Sequence, residues 1–399
     1  MFDRRGLITA SVAAAVLPAA ARAASMPGVT DTEIKIGNTQ AYSGPASAYA
    51  TNAKTEAAYF KMVNEQGGIA GRKLNFISYD DSASPPKAIE QVRRLIEQDE
   101  VAFLFNTFGT ASNSATARYV NQQKVPQLFI YSGADKWRDY KTYPWTIGWQ
   151  PSYRTEGQIY ATYIKATKPG AKVGILYQND DFGKDYAAGV KDVLGSSATV
   201  ALASHEFLDA TIDSQVLALR EAKVDVLISG TSPKFVAMTI RKIFDLEWKP
   251  LHIISNIATS IAAVMGPAGP ERGIGIVSSA YVKDPNDPAW AGDAGLRDWR
   301  AFMAKHYPEG DLKDINNVYG FGFATTMVHV LKACNGDFSR ANVMKQATSI
   351  DKFACPALLP GITVNTSPTD YRPIKQMQLI KFDGTSWQRF GDLIEGSKA

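Results

Sequence analysis

The segment Val101-Ala102-Phe103-Leu104-Phe105-Asn106 has a pattern that Val224-Asp225-Val226-Leu227-Ile228-Ser229 repeats. Each segment is a short apolar run followed by a Gly/Ser/Thr loop, a helical stretch and a second apolar run. The two copies stay in register, with an offset of 123 residues at both ends and 124 at a shared proline. Generic alternation of strands and helices is the alternative explanation. The repeat favours two similar α/β lobes, each with a doubly wound parallel sheet.

The alternation extends outward on both sides of the repeat. Before it, the pattern predicts strands at Ile34 to Gly37 and Leu74 to Tyr79 and helices at Ala50 to Glu65 and Pro85 to Gln98. The predicted strands of the middle part are Val101 to Phe105, Gln127 to Tyr131, Val173 to Tyr177, Val224 to Ser229 and Leu251 to Ile254. The predicted C-terminal elements are helices at Pro288 to His306 and Val318 to Ala333, a loop-rich segment at Pro356 to Pro373, and strands at Met377 to Phe382 and Trp387 to Phe390. The return of strands at the end implies that the chain crosses between lobes more than once.

Composition excludes several classes of protein. The 399 residues are 45% hydrophobic and 21% charged, which is typical of a globular chain with a large core. The net charge is only +4, and the basic residues form no run of the kind that nucleic-acid binding requires. Two cysteines and four scattered histidines lack metal-ligand spacing, and no phosphate loop, nucleophile elbow or dinucleotide fingerprint occurs. We therefore expect neither an enzyme nor a bound cofactor.

The N-terminus has the pattern of an export signal. Arg4-Arg5 precedes an apolar stretch from Gly6 to Ala21, and Ala21-Arg22-Ala23 provides a small-x-small cleavage site. The apolar stretch is too short for a normal spanning helix, so no direct membrane insertion is expected. Residues 1–23 are thus predicted to be a signal peptide that directs the chain to the periplasm by the Sec or twin-arginine route.

The two cysteines, Cys334 and Cys355, are consistent with an oxidising compartment. A disulfide between them and two buried free thiols are both open, because their separation in sequence does not determine the distance between their Cα atoms.

Loops that follow predicted strands supply the candidate binding residues. In open α/β sheets a ligand binds beyond the carboxyl ends of the strands, so two facing lobes would form one cleft. Gly109-Thr110 and Ser132-Gly133-Ala134 follow strands and precede a helix or turn, where free N–H groups favour an anion such as a carboxylate. Thr231 and Asn256 occupy the corresponding loops of the second copy.

Three segments together resemble the leucine/isoleucine/valine-binding branch of periplasmic solute-binding proteins. They are Ser43 to Tyr49, Asn64 to Leu74 with Tyr79-Asp80-Asp81 after it, and Asp180 to Lys184. The resemblance implies two Rossmann-like lobes joined by three crossovers, a type I clamshell that delivers a solute to the permease and ATPase subunits of an ABC importer. Lobe 1 would comprise residues 24–149 plus 280–358, and lobe 2 residues 150–279 plus 359–399. A sensory protein with the same clamshell is an alternative, and a monomer is expected.

The resemblance also assigns roles to particular residues. In relatives, the loops at the positions of Thr110 and of Ser132 to Ala134 hold the ligand carboxylate. Aromatic rings at the positions of Tyr49 and Phe182 close over the ligand from opposite lobes. Closure about a hinge would then depend on contacts that the ligand makes with both lobes.

An amino-acid ligand is less favoured than this family resemblance alone would imply. Amino-acid binders of the family place a carboxylate of lobe 2 against the ligand ammonium, in the loop after the strand that ends here at Ile254. No acidic residue lies between Glu247 and Glu271 in this chain. Because burying an ammonium without a counter-charge is costly, only Asp135 or Asp181 would be left to supply it.

Aromatic density favours a different ligand. Eight aromatic residues occur between Phe129 and Tyr153, about three times the chain average of 11%. Phe108, Tyr131 and Trp137 flank the predicted anion loops, and flat rings stack well on a planar ligand. This segment also resembles binding proteins that take lignin-derived aromatic acids. We therefore expect a small-molecule carboxylate such as a hydroxybenzoate, phenylpropanoid or phenylpyruvate, with branched-chain amino acids as the alternative. The candidate ligand-binding residues are Tyr49, Phe108, Gly109, Thr110, Tyr131, Ser132, Gly133, Ala134, Asp135, Phe182, Thr231 and Asn256.

Overall fold

The first lobe is built on a parallel sheet. The structure, a computed structural model, describes residues 26–196 and 199–396. The strands of this sheet are β1 (Glu33–Gln40), β2 (Lys73–Asp80), β3 (Phe103–Phe105), β4 (Gln127–Ile130) and β5 (Thr146–Gly148). The helices between them are α1 (Ala50–Glu65), α2 (Pro85–Glu97) and α3 (Thr110–Gln122). The sheet order is β2-β1-β3-β4-β5, and the paired strands are parallel.

The second lobe repeats this arrangement. Its helices are α4 (Tyr153–Thr167), α5 (Asp181–Leu194), α6 (Asp213–Glu221), α7 (Pro233–Asp245) and the short α8 (Gly266–Ala268). Its parallel strands are β6 (Val173–Gln178), β7 (Thr199–His205), β8 (Val226–Gly230), β9 (Leu251–Ile254) and β10 (Val277–Ala280). Their order, β7-β6-β8-β9-β10, matches that of the first sheet strand for strand, because in both lobes the first strand lies between the second and the third. The predicted doubly wound α/β architecture with two similar lobes is therefore confirmed.

The C-terminal part of the chain contributes to both lobes. It contains α9 (Ala294–His306), α10 (Ile315–Ala333), α11 (Arg340–Ala347), β11 (Gln376–Phe382) and β12 (Trp387–Glu395). Helix α10 packs on α1 of lobe 1, where Gly320 lies against the backbone of Asn52. Strands β11 and β12 extend the second sheet as an antiparallel hairpin beside β10.

The chain passes between the lobes after β5, after β10 and before β11. Hydrogen bonds join the segment before β11 to lobe 1: Thr366 N donates to the Ile350 carbonyl, and the Tyr371 hydroxyl donates to the Pro144 carbonyl. The predicted lobe boundaries stay a prediction, and these contacts favour a last crossover nearer to Gln376 than to residue 359.

Several predicted element ends differ from the observed ones. Helix α9 begins at Ala294 rather than Pro288, because the Asp293 carboxylate caps it by accepting from Leu296 N at 2.8 Å. Helix α10 begins at Ile315 rather than Val318 for the same reason, with Asp314 as the cap. Strands β5, β7 and β10 were not predicted, because they are short or carry buried polar residues such as Ser278.

The two cysteines do not form a disulfide in the structure. Cys334 and Cys355, for which a disulfide and free thiols were both open, are buried free thiols.

The predicted signal peptide, residues 1–23, lies outside the described residues. No helix within 26–196 or 199–396 is long and apolar enough to cross a bilayer.

Candidate functional site

A cleft of about 580 Å³ lies between the lobes, at the carboxyl ends of the parallel strands. Most of its lining comes from three loops of lobe 1 (within residues 45–49, 82–86 and 108–112) and three loops of lobe 2 (within residues 178–182, 206–208 and 232–234), and Tyr131, Tyr153 and Ile257 complete it. The lobe 1 loops follow β1, β2 and β3, and the lobe 2 loops follow β6, β7 and β8. This is the location at which doubly wound sheets bind small molecules, and the volume lies in the usual range for such pockets.

Lobe 1 presents an aromatic wall to the cleft, formed by Tyr49, Phe108 and Tyr131. The ring centroid of Tyr49 lies 5.2 Å from that of Phe108 and 5.6 Å from that of Tyr131, and the latter two are 5.5 Å apart. These distances are those of favourable aromatic pairs, so the wall is a preformed surface. The three residues were predicted as ligand residues, and the structure brings them together.

Lobe 2 presents a second aromatic wall, formed by Tyr153 and Phe182, whose ring centroids are 4.6 Å apart. Phe182 lies in the first turn of α5, which packs closely on β6 because residue 183 is glycine. A Cβ at Gly183 would collide with the backbone oxygen of Gln178. The glycine of the Asp180 to Lys184 motif therefore sets the position of the Phe182 ring.

The N-terminus of α3 forms the polar part of the cleft. Its N-cap residue, Gly109, has a φ of +88°, a conformation that glycine adopts without strain, and provides no capping side chain. The first turn contains no acidic residue, and Thr110, Ala111 and Ser112 of this turn line the cleft. N–H groups in a first turn have no intrahelical partner, and the helix dipole there favours an anion. A carboxylate bound in the cleft would accept hydrogen bonds from these N–H groups, in place of the capping side chain that Gly109 lacks.

Tyr153 adds a hydroxyl donor beside this helix end. Burial raises the pKa of Tyr153 to about 12, against the opposing effect of the nearby Gly133 N–H and Thr110 hydroxyl. The phenol therefore keeps its proton at neutral pH. Its O–H lies next to Thr110, where it can donate to a carboxylate.

Ser132 supports Thr110 from behind rather than lining the cleft. Its side chain is fully buried, and its Oγ lies 2.8 Å from Thr110 Oγ1. The same Oγ accepts from Trp137 Nε1 at 3.0 Å. These bonds occupy the Ser132 hydroxyl, so its predicted direct role in ligand binding gains no support from the geometry, whereas a role in positioning Thr110 does.

Gly133, Ala134 and Asp135 also lie away from the cleft, around a crevice of about 20 Å³ at the first crossover. The Gly133 carbonyl accepts from Tyr153 N at 2.8 Å, and the Asp135 carboxylate accepts from Ser152 Oγ at 2.8 Å. A crevice of this volume holds about one water molecule. In this structure the three residues join the lobes, and their predicted contact with ligand gains no support from the geometry.

Thr231 and Asn256 are buried beneath the lobe 2 side of the cleft without lining it. The Thr231 hydroxyl lies 2.5 Å from His205 Nε2, and Asn256 N donates to Glu156 Oε1 at 2.8 Å. The next residue after Asn256, Ile257, does line the cleft. The two predicted residues therefore hold the loops in place, and lie one residue before those that face the cleft.

The two acids considered as partners for an ammonium are engaged elsewhere. Asp135 pairs with Arg138 at 3.1 Å, and Asp181 pairs with Lys136 at 2.7 Å. The Lys136 ammonium is among the groups that lower the pKa of Asp181, against the effect of burial. Neither acid lines the cleft.

Asp180 is an acid that does line the cleft and that the sequence analysis did not select. Its carboxylate accepts from Gln178 Nε2 at 2.7 Å and caps α5 through Gly183 N at 3.4 Å. Burial raises the pKa of Asp180. Much of its capacity to accept hydrogen bonds is thus used within lobe 2.

The lobes already touch across the cleft. The Tyr49 hydroxyl donates to the Ile257 carbonyl at 2.9 Å. Asp181 at the start of α5 accepts from Lys136 Nζ at 2.7 Å and from Ser114 Oγ at 3.2 Å, both in lobe 1. These inter-lobe contacts form only when the lobes approach, so they contribute to the closed state.

Sequence reasoning missed Tyr153, Asp180 and Phe207 among the lining residues. Tyr153 ends the aromatic run and follows a crossover, which was a usable signal. Phe207 follows β7, a strand that the patterns did not indicate, so no signal pointed to it.

Residues 33–386 match the model of the periplasmic binding protein family, and the chain belongs to that family. The match confirms the predicted class, a binding protein rather than an enzyme. Leu/Ile/Val-binding protein homolog 7 of Brucella suis biovar 1 is 24% identical over 258 residues, which is 62% of this chain and 62% of that protein. The alignment thus spans less than two thirds of the relative's length.

Solved structures share the fold. A branched chain amino acid ABC transporter protein from Thermus thermophilus with bound valine superimposes with a TM-score of 0.83 at 14% identity, covering 92% of this chain and 98% of the other. A solute binding protein of an ABC transporter from R. palustris in complex with benzoate superimposes with a TM-score of 0.74 at 20% identity, covering 91% and 97%. These likenesses confirm the clamshell fold.

Proposed function

We propose that this protein is the periplasmic solute-binding subunit of an ABC importer and that its ligand is a small aromatic carboxylate. The observation that carries the proposal is the pairing, in one cleft, of two aromatic walls with an uncapped helix N-terminus. The walls favour a flat apolar group, and the helix end favours an anion.

The carboxylate would sit at the first turn of α3. The N–H groups there, the Thr110 hydroxyl and the Tyr153 hydroxyl are the donors. The ring would lie between the wall of Tyr49 and Phe108 and the wall of Phe182. Because these groups belong to both lobes, a bound ligand stabilises the closed form, which permease and ATPase subunits would then recognise.

Relatives support two ligand classes. The R. palustris protein was solved with benzoate, whereas the T. thermophilus protein was solved with valine. An amino acid is the second candidate, and Asp180 in the cleft is the observation that favours it. The aromatic acid is preferred because Asp180 already caps α5 and accepts from Gln178.

Thr110→Ala is expected to weaken binding of an aromatic acid by about 1 to 3 kcal/mol, since a buried carboxylate oxygen would lose a donor. Thr116→Ala is the matched control, because Thr116 lies on the same helix and donates to the Ser112 carbonyl at 3.1 Å. Isothermal titration with 4-hydroxycinnamate measures both. Equal affinities of the Thr110 and Thr116 variants would contradict the anion site.

Asp181→Asn is expected to weaken 4-hydroxycinnamate binding about two- to fivefold at low salt, because it removes an inter-lobe ion pair that is partly exposed. The difference should shrink in 1 M salt. Asp213→Asn is the control, since Asp213 pairs with Lys242 at 2.8 Å within lobe 2. A loss in both variants alike would show that the Lys136–Asp181 pair has no part in closure.

The proposal is tested by a thermal-shift screen of protein refolded to remove carried-over ligand. A ligand present at about a hundred times its Kd adds about 2.7 kcal/mol to the free energy of unfolding. Stabilisation by benzoate- or cinnamate-type acids, with none by leucine or valine, is expected. Stabilisation by the amino acids alone would overturn the aromatic assignment.

A further inference from the structure

The cleft is larger than benzoate, the smallest aromatic acid, requires. Benzoate has nine non-hydrogen atoms, and at about 10 to 15 Å³ of cavity volume for each water-sized group it would fill roughly 90 to 135 Å³. The cleft measures about 580 Å³. This excess is not due to separated lobes, because Tyr49 of lobe 1 already donates to Ile257 of lobe 2 at 2.9 Å.

The additional space has a distinct lining. The aromatic walls are buried, with exposures of 9% or less at Phe108, Tyr131 and Phe182. Further out, beside polar residues of the same loops such as Ser84 and Ser232, the lining contains Pro85, Pro86, Phe207, Leu208 and Pro233, which we call the outer cleft. Its members come from both lobes and are all apolar. Leu208 is 78% exposed although it is a large apolar residue at the cleft.

The charged side chains at the rim form hydrogen bonds with other groups of lobe 2. Lys234 Nζ donates to the Asp209 carbonyl at 2.7 Å, and Glu206 accepts from Asn179 Nδ2 at 2.7 Å. The outer cleft therefore offers a ligand mainly apolar contact.

We propose that the outer cleft binds a second, apolar part of the ligand, so that the preferred substrates are longer aromatic acids of the arylalkanoate or phenylpropanoid type rather than benzoates. This inference rests on the proposed function, because the carboxylate must lie at α3 for the remainder to reach Phe207 and Leu208. Phe207 and Leu208 are then residues that determine specificity for ligand length.

The first test is a homologous series, namely benzoate, phenylacetate, 3-phenylpropanoate, 4-phenylbutanoate and 5-phenylpentanoate, titrated calorimetrically into the refolded protein. Each added methylene moves the phenyl ring further into the outer cleft and should tighten binding about fourfold, because the apolar area of one more methylene is buried. Affinity that stays flat or falls beyond benzoate would overturn the inference while leaving the proposed function intact. Failure of every acid in the series to bind would overturn the proposed function itself.

The second test asks whether the gain comes from the outer cleft. Phe207→Ala and Leu208→Ser are expected to weaken 4-phenylbutanoate about fivefold or more and benzoate less than twofold. Leu202→Ser is the control, since Leu202 is 46% exposed on β7 of the same lobe and does not line the cleft. The exposed Leu208 can be replaced without loss of core packing, so this variant keeps the test valid if Phe207→Ala does not fold. Equal losses for both acids in the Leu208 variant would contradict the assignment.

Discussion

Glu156→Ala is expected to lower the free energy of unfolding by about 2 to 4 kcal/mol, one of the two largest effects expected for this protein. Glu156 lies on α4 and is fully buried. Its carboxylate accepts from the Tyr186 hydroxyl at 2.6 Å, from Asn256 N at 2.8 Å and from the Tyr160 hydroxyl. Alanine would leave the buried Asn256 N–H without its acceptor, and the Tyr160 and Tyr186 hydroxyls with the Ile254 carbonyl and the Ser255 hydroxyl among their remaining partners.

The same substitution should also weaken ligand binding. The bond from Asn256 N holds the loop after β9, and the next residue, Ile257, lines the cleft and accepts from the Tyr49 hydroxyl. Urea unfolding and titration with an aromatic acid measure the two effects. Glu156→Gln, which keeps the volume and one acceptor oxygen, should cost less. A Glu156→Ala protein within 1 kcal/mol of the parent would contradict this account of the network.

Glu56→Gln is expected to stabilise the protein increasingly as the pH rises. Glu56 of α1 is fully buried, and within the described part of the chain neither of its carboxyl oxygens has a hydrogen-bond partner. Burial raises its pKa well above the ordinary value of 4.5. The folded chain therefore keeps a proton that the unfolded chain releases, and stability falls as the pH rises above about 4.5. The slope is about 1.4 kcal/mol per pH unit while this difference lasts.

Glutamine removes this titration, so the variant and the parent should be close in stability at pH 4 and diverge toward pH 8. Thermal midpoints measured across this range test the prediction. The folded pKa of Glu156 is also raised, to about 7, so its contribution to the stability of the protein falls as the pH rises. Because Glu156 is present in both proteins, this contribution cancels in the comparison. Glu90→Gln, at an exposed position of α2, is the control. A constant shift at every pH would contradict the assigned protonation of Glu56.

The architecture could be predicted from sequence because it depends on short-range patterns. The repeat at Val101 and Val224 predicted two similar sheets, and both sheets have the same strand order. Thr110 could be placed at the cleft because it follows a strand whose end must converge with its neighbours, whereas Tyr49 and Phe182 were placed there by the family resemblance. Strand-end loops are thus the part of the site that local sequence determines.

The remainder depends on tertiary packing within and between the lobes, which local patterns do not encode. Ser132 follows β4 as predicted, yet its hydroxyl is occupied by Thr110 and Trp137. Asp135 was a candidate counter-charge, but it accepts from Ser152 next to the crossover. Glu156 shows the same limit, because nothing in its sequence neighbourhood indicates that it holds the loop at Asn256.

An aromatic carboxylate held in the cleft with its charge at the start of α3 would be visible in a crystal structure of the protein with 3-phenylpropanoate or 4-hydroxycinnamate. We expect the carboxylate oxygens within hydrogen-bond distance of the N–H groups of Thr110, Ala111 or Ser112, and the ring between Tyr49 and Phe182. A carboxylate located away from α3, or an amino acid whose ammonium meets Asp180 in the same cleft, would contradict the account.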